Sequence, residues 1–449
     1  FYKERIHLYN KYADFSIQDL DHEQQGLLDY LAKGGINVVS GPPGSGKTLL
    51  AYLLAEKLAK QYTEDDYPPE STMPITSLIV QSKVLKSFVK QDIEKSSYDE
   101  VKNNFFIDHT AYRFLNKMWR NVFCECYKGD FFVEDLSPCK CSNSRFPHDQ
   151  NYPGWVNYQT FYQTIIKQPR EIQDIFHFGH LIVDEGQDFP SSFFQALFLI
   201  STVWNDGFYK PPSITVFADE NQTIQDENST INQILSSLSL KREKLKRLKR
   251  NYRNTKQIYD FASHFKVKSQ ETTAPAREGA KPKVVIAQSQ EYCVDYVTEM
   301  IKNNQKKSFL LVIGQRAGRK LIKKYLGQLK ILLDRTDVEV ACYFNVSKKW
   351  MPQSVATPAE DLVFESGNVN VIFDISSKGT QADVVIYCGL EQYDENVDST
   401  IRNRVYVNST RAFEELYFIL EDDSQMSNWN EIKTIFPDKE LRLFDLEKI

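Results

Sequence analysis

Short apolar runs rich in β-branched residues alternate along this chain with stretches whose leucines recur at helical spacing. That alternation predicts parallel sheets covered by helices. In the first half the runs predict strands over Asn37–Ser40, Ser77–Gln81, Asn104–Asp108, His180–Asp184 and Ile214–Ala218. After the first of them, Thr48–Gln61 sets Leu49, Leu50, Leu53, Leu54 and Leu58 on one broad helical face. A second series follows at Lys283–Ala287, Phe309–Ile313, Val369–Ile375, Val384–Tyr387 and Leu416–Leu420. Two successive α/β sheets are expected, with the boundary between residues 225 and 250 and domains over 1–230 and 231–449. The turn-rich stretch Tyr62–Pro74 reads as a surface loop.

One segment differs in composition. Residues 105 to 162 hold 15 aromatics in 58 positions, about twice the chain average of 13%, and four of the seven cysteines. Lying between two strands of the first sheet, it is expected to be an inserted subdomain over about 110–170. Its Trp119 and Trp155 either stack on bases or build a small core. Cys124, Cys126, Cys139 and Cys141 form two CxC pairs, a spacing that fits either a structural zinc site or ordinary core thiols. Cys293, Cys342 and Cys388 read as core thiols.

Composition narrows the class. With 449 residues the chain is long enough for two to four domains and a large core without disulfides. The formal charge of −5 excludes a globally basic nucleic-acid coat protein but permits a local basic groove. Residues 241 to 256 are such a local excess, with nine Lys/Arg against one Glu; a solvated helix face and a phosphate contact both account for it. The longest nearly apolar stretch, Phe193–Trp204, is too short to cross a bilayer. No signal peptide opens the chain and no disulfide framework is evident, so a cytoplasmic setting without a membrane partner is expected. The chain opens on Phe1 and not Met, so preceding sequence is expected.

The chemistry begins at Gly41-Pro42-Pro43-Gly44-Ser45-Gly46-Lys47-Thr48, a P-loop pattern between a strand and a helix. Its glycines let backbone amides turn toward phosphate oxygens, and the positive helix end adds to that field. Lys47 would reach the β- and γ-phosphates, and Thr48 would hold Mg²⁺. Downstream, the apolar strand from His180 ends in Asp184-Glu185. In P-loop enzymes one acid there holds Mg²⁺ and its neighbour orients the attacking water, roles that fall to Asp184 and Glu185.

With these residues in place, the sequence resembles superfamily 1 helicases of the UvrD/Rep type, over nearly the whole chain and in family order. Leu20-Asp21-His22-Glu23-Gln24 looks like the adenine-reading motif, with Gln24 as the reader. Asp184-Glu185-Gly186-Gln187-Asp188 is similar to the DExQD motif, whose Gln touches phosphate and water. Phe217-Ala218-Asp219-Glu220-Asn221-Gln222 resembles the next motif, which implies a γ-phosphate sensor at Gln222. Asn251-Tyr252-Arg253-Asn254 looks like the motif whose Tyr stacks on adenine and whose Arg reaches the γ-phosphate. Val407-Asn408-Ser409-Thr410-Arg411-Ala412 resembles the motif that supplies a second arginine. The resemblance implies two RecA-like motor domains with ATP between them, drawn together by binding and released by hydrolysis.

The match has departures. Ile375-Ser376-Ser377-Lys378-Gly379-Thr380-Gln381-Ala382-Asp383 resembles a motif that usually ends KGLEF, with Thr380 and Gln381 where Leu and Glu are typical and Ile375 where a His is usual. Gln381 would bond the nucleotide sugar more weakly than a charged acceptor. For the nucleic-acid track, Val80-Gln81-Ser82-Lys83 and Phe106-Ile107-Asp108-His109-Thr110 lie where the family contacts DNA, although Ser82 and His109 also suit helix capping. Ser376 and Lys378 would face the same strand. Only 124 residues separate Arg253 from Lys378, too few for the family's large accessory domain.

These readings converge on an ATP- and Mg²⁺-dependent DNA helicase or translocase moving 3′ to 5′, with single-stranded DNA or a tailed duplex as partner. The rivals are an ATP-gated DNA-binding regulatory subunit of a repair or antiviral defence complex, and an RNA helicase. No PD-(D/E)xK nuclease motif is evident, so a nuclease would come from a partner or from missing residues, and a nuclease or other protein subunit is the expected protein partner.

Overall fold

The computed structural model describes residues 16–61, 67–80, 82–108, 110–124, 146–147, 156–205, 207, 209–219, 221, 229–267, 272–314, 338–343, 357–358, 362–390, 399–421 and 443–449. The chain divides into two compact units. One contains the described residues up to Gly41 together with Gly46–Leu248; the other contains Pro42–Ser45 and Lys249–Ile449.

The first unit is built on a six-stranded, wholly parallel sheet. Its strands are β1 (Ile36–Ser40), β2 (Thr76–Ile79), β3 (Phe105–Asp108), β4 (His180–Val183), β5 (Ser213–Ala218) and β6 (Lys246–Arg247), in the order β3-β2-β4-β5-β1-β6. Helices cover both faces, so the strands are apolar on both sides and alternate between two cores. Val38, Ile79, Leu181, Val183 and Val216 point into one, against Phe193, Phe194, Leu197 and Ile200 of the helix Ser191–Ser201. Val39, Leu78, Ile182 and Phe217 point into the other, against the helix Lys47–Lys60, which buries Leu50, Leu53 and Leu54.

The second unit carries a seven-stranded parallel sheet: β7 (Lys283–Ala287), β8 (Phe309–Ile313), β9 (Glu339–Tyr343), β10 (Asn368–Phe373), β11 (Ala382–Cys388), β12 (Ala412–Glu421) and β13 (Asp445–Lys448). The order is β13-β7-β12-β11-β8-β10-β9. Val285, Leu311, Val371, Ile386 and Ile419 form a core with Val294, Val297 and Ile301 of the helix Gln290–Asn303. Cys293, Cys342 and Cys388 are buried in that core. No helix among the described residues is long and apolar enough to cross a membrane.

Several sequence expectations change. The described aromatics of the 105–162 segment form no separate core. Phe106, Phe114, Trp119, Phe146 and Phe161 pack into the same cluster as the sheet residues Val38 and Val216, and Trp119 meets Phe146 and Phe161 ring to ring. Phe105 packs on the other face of the sheet, with Leu53 and Leu54. The basic run at 241–256 preceding Asn251 is no helix face: it makes a short 3-10 turn at Arg242–Lys244 and the edge strand β6, because pairing with β1 claims the backbone there. Within the expected surface loop, Met73 instead joins the sheet core and Tyr67 sets its ring edge against His177.

Candidate nucleotide site

The phosphate loop follows β1 directly. Gly44 and Gly46 take left-handed backbone angles, with φ of 72° and 84°, that L side chains rarely adopt. Space is tight as well: a Cβ on Gly44 would lie 2.7 Å from Asn251 Oδ1 and 2.8 Å from Arg253 Cβ, and one on Gly46 would lie 2.7 Å from Gln24 Nε2, displacing that amide. Gly46 caps the helix Lys47–Lys60, so the amino end of a four-turn helix faces the loop. Buried Lys47 donates from Nζ to Gly41 O at 2.7 Å and stands 3.8 Å from Asp219 Oδ2.

Thr48 Oγ1 donates to Asp184 Oδ2 at 2.7 Å, joining the helix start to the end of β4. Burial pushes the Asp184 carboxyl above the ordinary carboxylate range; the Glu185 charge adds to the rise, while the Thr48 hydrogen bond and the Lys47 charge oppose it. A hydroxyl and a carboxylate oxygen side by side are hard oxygen donors that fit Mg²⁺, and a buried carboxylate gains from a cation. Glu185 follows in a left-handed conformation (φ 53°), one of two such non-glycine residues among those described. Holding a non-glycine residue there costs on the order of 1–3 kcal/mol. The restraint is visible: Glu185 N–H donates to Asp184 Oδ1 at 3.0 Å, and Glu185 Oε2 accepts from Gln187 Nε2 at 2.6 Å. Gln187 Oε1 in turn accepts from the Asp219 backbone N–H at 2.8 Å, just beyond β5.

Gln24 is buried beside Gly46, but its Oε1 accepts from Asp21 N–H at 3.2 Å while Asp21 Oδ1 accepts from Gln24 N–H at 2.8 Å. This reciprocal pair is a capping box for the helix His22–Leu31.

In the other unit, the Asn251–Asn254 turn is locked by its own amides. Asn251 Oδ1 accepts from the backbone N–H of Arg253 and of Asn254, and Asn251 Nδ2 donates to Asn254 Oδ1 at 2.8 Å. Tyr252 N–H donates to Gly44 O at 2.8 Å, which ties this turn to the loop crown Pro42–Ser45. Asn254 Nδ2 reaches Ala412 O at 2.6 Å and Thr410 O at 3.3 Å, and Arg253 Nη1 reaches Thr410 O at 3.2 Å. Arg411, buried, donates from Nε to Val407 O at 3.0 Å. Arg277 adds a clip from Nη2 to the carbonyls of Arg253 and Phe413. The two arginine motifs are thus assembled at one place, and Asn254 and Arg277 assemble them. Sequence reading had no role for Asn254 or Arg277. A second Asn three residues after Asn251 was the available signal for Asn254, since such side chains bond nearby backbone groups.

The Ile375–Asp383 segment is held from beneath. Asp374 Oδ2 accepts from Tyr387 Oη and Arg404 Nη1, each at 3.0 Å, and Asp383 Oδ2 accepts from Ser308 N–H and Oγ. Lys378 is 7% exposed and Gln381 9%, so neither is displayed on the surface. Ser82 Oγ accepts from Leu85 N–H at 3.3 Å and caps the helix Lys83–Lys95. Asp108, buried at the end of β3, lies within 4 Å of Lys86, Arg113 and Lys117. Gln222, Gln81, His109, Trp155, Cys126, Cys139 and Cys141 lie outside the described residues; Cys124 is described and buried, at the end of the helix Ala111–Phe123.

No family model matches this chain, and no curated protein does. Among solved structures it is similar to the C-terminal domain of a possible DNA helicase from Lactobacillus plantarum WCFS1. That match is 19% identical with a TM-score of 0.28, and covers 43% of this chain and 98% of the other. It is also similar to the DUF1998 helicase MrfA bound to DNA, at 13% identity and a TM-score of 0.47 over 96% of this chain. The chain spans 53% of the length of that protein.

Proposed function

We propose that this protein is an ATP-hydrolysing DNA helicase or translocase of superfamily 1, similar to the UvrD/Rep type, moving 3′ to 5′ on single-stranded DNA. The observation that carries the reading is the Thr48–Asp184 hydrogen bond beside a buried Lys47, at the mouth of a glycine loop that opens a helix. Backbone amides of Gly41–Thr48 would cradle the phosphates, and Lys47 would neutralise the β- and γ-oxygens. Thr48 and Asp184 would hold Mg²⁺, which when bound bridges phosphate oxygens and offsets their charge. Glu185 would orient the attacking water and accept its proton. Arg253 and Arg411 would stabilise charge on the transferring phosphoryl group, a contribution worth about 10³–10⁵ in rate for an inserted arginine. Tyr252 would stack on the adenine that Gln24 reads, and Gln381 would bond the sugar.

A second reading is an ATP-gated DNA-binding subunit of a larger complex. The burial of Lys378 favours it, because a lysine that small in exposure offers little to a passing phosphate backbone. ATPase rate measured in parallel with no nucleic acid, single-stranded DNA, duplex DNA and RNA tests both. A motor is stimulated strongly by single-stranded DNA. Equal rates in all four favour the second reading, and selective stimulation by RNA replaces DNA as the substrate.

A further inference from the structure

Six residues, five of them buried, form one closed circuit in the first unit. Lys47 Nζ stands 3.8 Å from Asp219 Oδ2; Asp219 N–H donates to Gln187 Oε1 at 2.8 Å; Gln187 Nε2 donates to Glu185 Oε2 at 2.6 Å. Glu185 N–H then donates to Asp184 Oδ1 at 3.0 Å, and Asp184 Oδ2 accepts from Thr48 Oγ1, the neighbour of Lys47 in the chain. Both polar ends of Gln187 are therefore spent on protein, and its side chain has no exposed surface. The resemblance assigns this Gln a direct contact with phosphate and water. The geometry assigns it something else.

We propose that Gln187 is a positioning residue that relays the state of the phosphate loop, through Asp219, to the Glu185 carboxylate. The proposal rests on the nucleotide reading above. Lys47 is shared between the Gly41 carbonyl and the Asp219 carboxylate. A γ-phosphate arriving at the loop competes with Asp219 for that ammonium, and a buried charge pair opened on one side is costly enough to drive a rearrangement. Asp219 follows β5 directly, and its Oδ1 also accepts from Asn221 N–H at 3.0 Å, so a shift of Asp219 moves the N–H on which Gln187 is anchored. Gln187 carries that shift to Glu185, whose left-handed backbone angle is already away from its resting preference. The acid is then aimed when phosphate is present.

The test is steady-state ATPase together with binding of a fluorescent ATP analogue, on the full chain. Gln187→Ala lowers kcat at least tenfold while analogue affinity stays within twofold of wild type; its melting temperature falls, because two buried hydrogen bonds are lost, but stays above the assay temperature. In a Glu185→Gln background the same change causes no further loss, because Gln187 acts through Glu185. A wild-type kcat, an affinity loss as large as the kcat loss, or an independent loss in the Glu185→Gln background overturns the proposal. If Gln187→Ala does not fold, Gln187→Glu decides by the same criteria: it keeps the length and the acceptor for Asp219 N–H but removes the donor to Glu185. Asp219→Asn probes the other half of the relay and tightens analogue binding at least twofold; unchanged or weaker binding overturns that half. Failure of the wild-type protein to bind or hydrolyse ATP at all would instead sink the nucleotide reading.

Discussion

Thr48 and Asp184 are 136 residues apart in sequence, yet Thr48 Oγ1 donates to Asp184 Oδ2 across 2.7 Å. The parallel register explains the meeting. β1 and β4 both flank β5, so the loop after β1 and the acids after β4 emerge at the same edge of the sheet. That edge, beyond the carboxyl ends of the strands, is where open α/β sheets bind ligands.

On the proposed function, phosphate cradling and water orientation fall to different elements there, so they are expected to separate by mutation. Lys47→Ala removes the cation of the loop and abolishes hydrolysis together with tight nucleotide binding. Glu185→Gln keeps the side-chain shape, leaves nucleotide binding intact and lowers turnover by about 10²–10⁴, the usual worth of a general base. Single-turnover hydrolysis beside equilibrium binding checks both. A Glu185→Gln protein that hydrolyses ATP near the wild-type rate would remove Glu185 from the water site.

Asn254 offers a test in the other unit. Its amide bonds Ala412 O and Thr410 O and accepts from Asn251, so Asn254→Ala takes a donor from Ala412 O, leaves Thr410 O to Arg253 alone and removes the acceptor of Asn251 Nδ2. The expected cost is about 1–3 kcal/mol of stability. Turnover should also fall by on the order of tenfold, because Arg253 and Arg411 lose their common anchor. Asn254→Asp is expected to be worse than Ala, since it sets a carboxylate against two carbonyl oxygens. Thermal melts and kcat for the two variants check the order; equal melting temperatures for Asn254→Asp and wild type would contradict it.

Much of this was legible in the chain. The strand runs end within a few residues of their predicted positions because a doubly covered parallel strand must be apolar throughout, and few other elements read that way. Among the predicted runs β12 departs most, starting at Ala412 and not Leu416, because Glu414 and Glu415 interrupt its apolar run; β6 and β13, both charged edge strands, had no predicted run. The glycine loop was legible because glycine is strongly favoured at the positive φ angles of Gly44 and Gly46. The roles of Gln187, Asp219 and Asn254 were not, because each depends on a partner fixed by the fold: Gln187 meets Asp219 only once β4 and β5 pair. The basic run misled for the same reason. Its charges suggest solvent, and its backbone in fact completes a sheet at β6.

Two buried histidines predict acid sensitivity. Burial pushes His177 down to about 4, against the raising effect of its bond to Lys210 O. Burial, with the Lys210 charge adding to it, pushes His180 down to about 3; its Nε2 pairs with Thr215 Oγ1 at 2.8 Å. Both folded values lie below the unfolded value of about 6.5. The unfolded chain therefore binds protons that the folded chain does not, and stability falls as pH drops below about 6.5. The loss continues to about 4 for His177 and about 3 for His180, by up to about 1.4 kcal/mol per pH unit for each. Denaturant midpoints between pH 7 and 5 check this, with His177→Gln/His180→Gln as the variant expected to flatten the slope. A wild-type midpoint that is flat over that range would show that both rings titrate normally.

The last prediction concerns what the proposed motor can do alone. Between Arg253 and Lys378, the described residues already supply β7 to β10 and the helices Lys256–Ser263 and Gln290–Asn303. All four strands belong to the second sheet, so this interval is occupied by the sheet itself and leaves no length for a large accessory domain. The aromatics at 105–162 do not substitute for one on the described residues, because Phe114, Trp119 and Phe161 are buried against the first sheet. The protein is therefore expected to hydrolyse ATP rapidly on single-stranded DNA while displacing little strand from a tailed duplex. Both assays belong at one salt concentration, since phosphate contacts make binding steeply salt-dependent. If the isolated chain displaces long duplexes at a rate commensurate with its ATPase, the sheet-borne surfaces open DNA by themselves and no accessory element or partner is required.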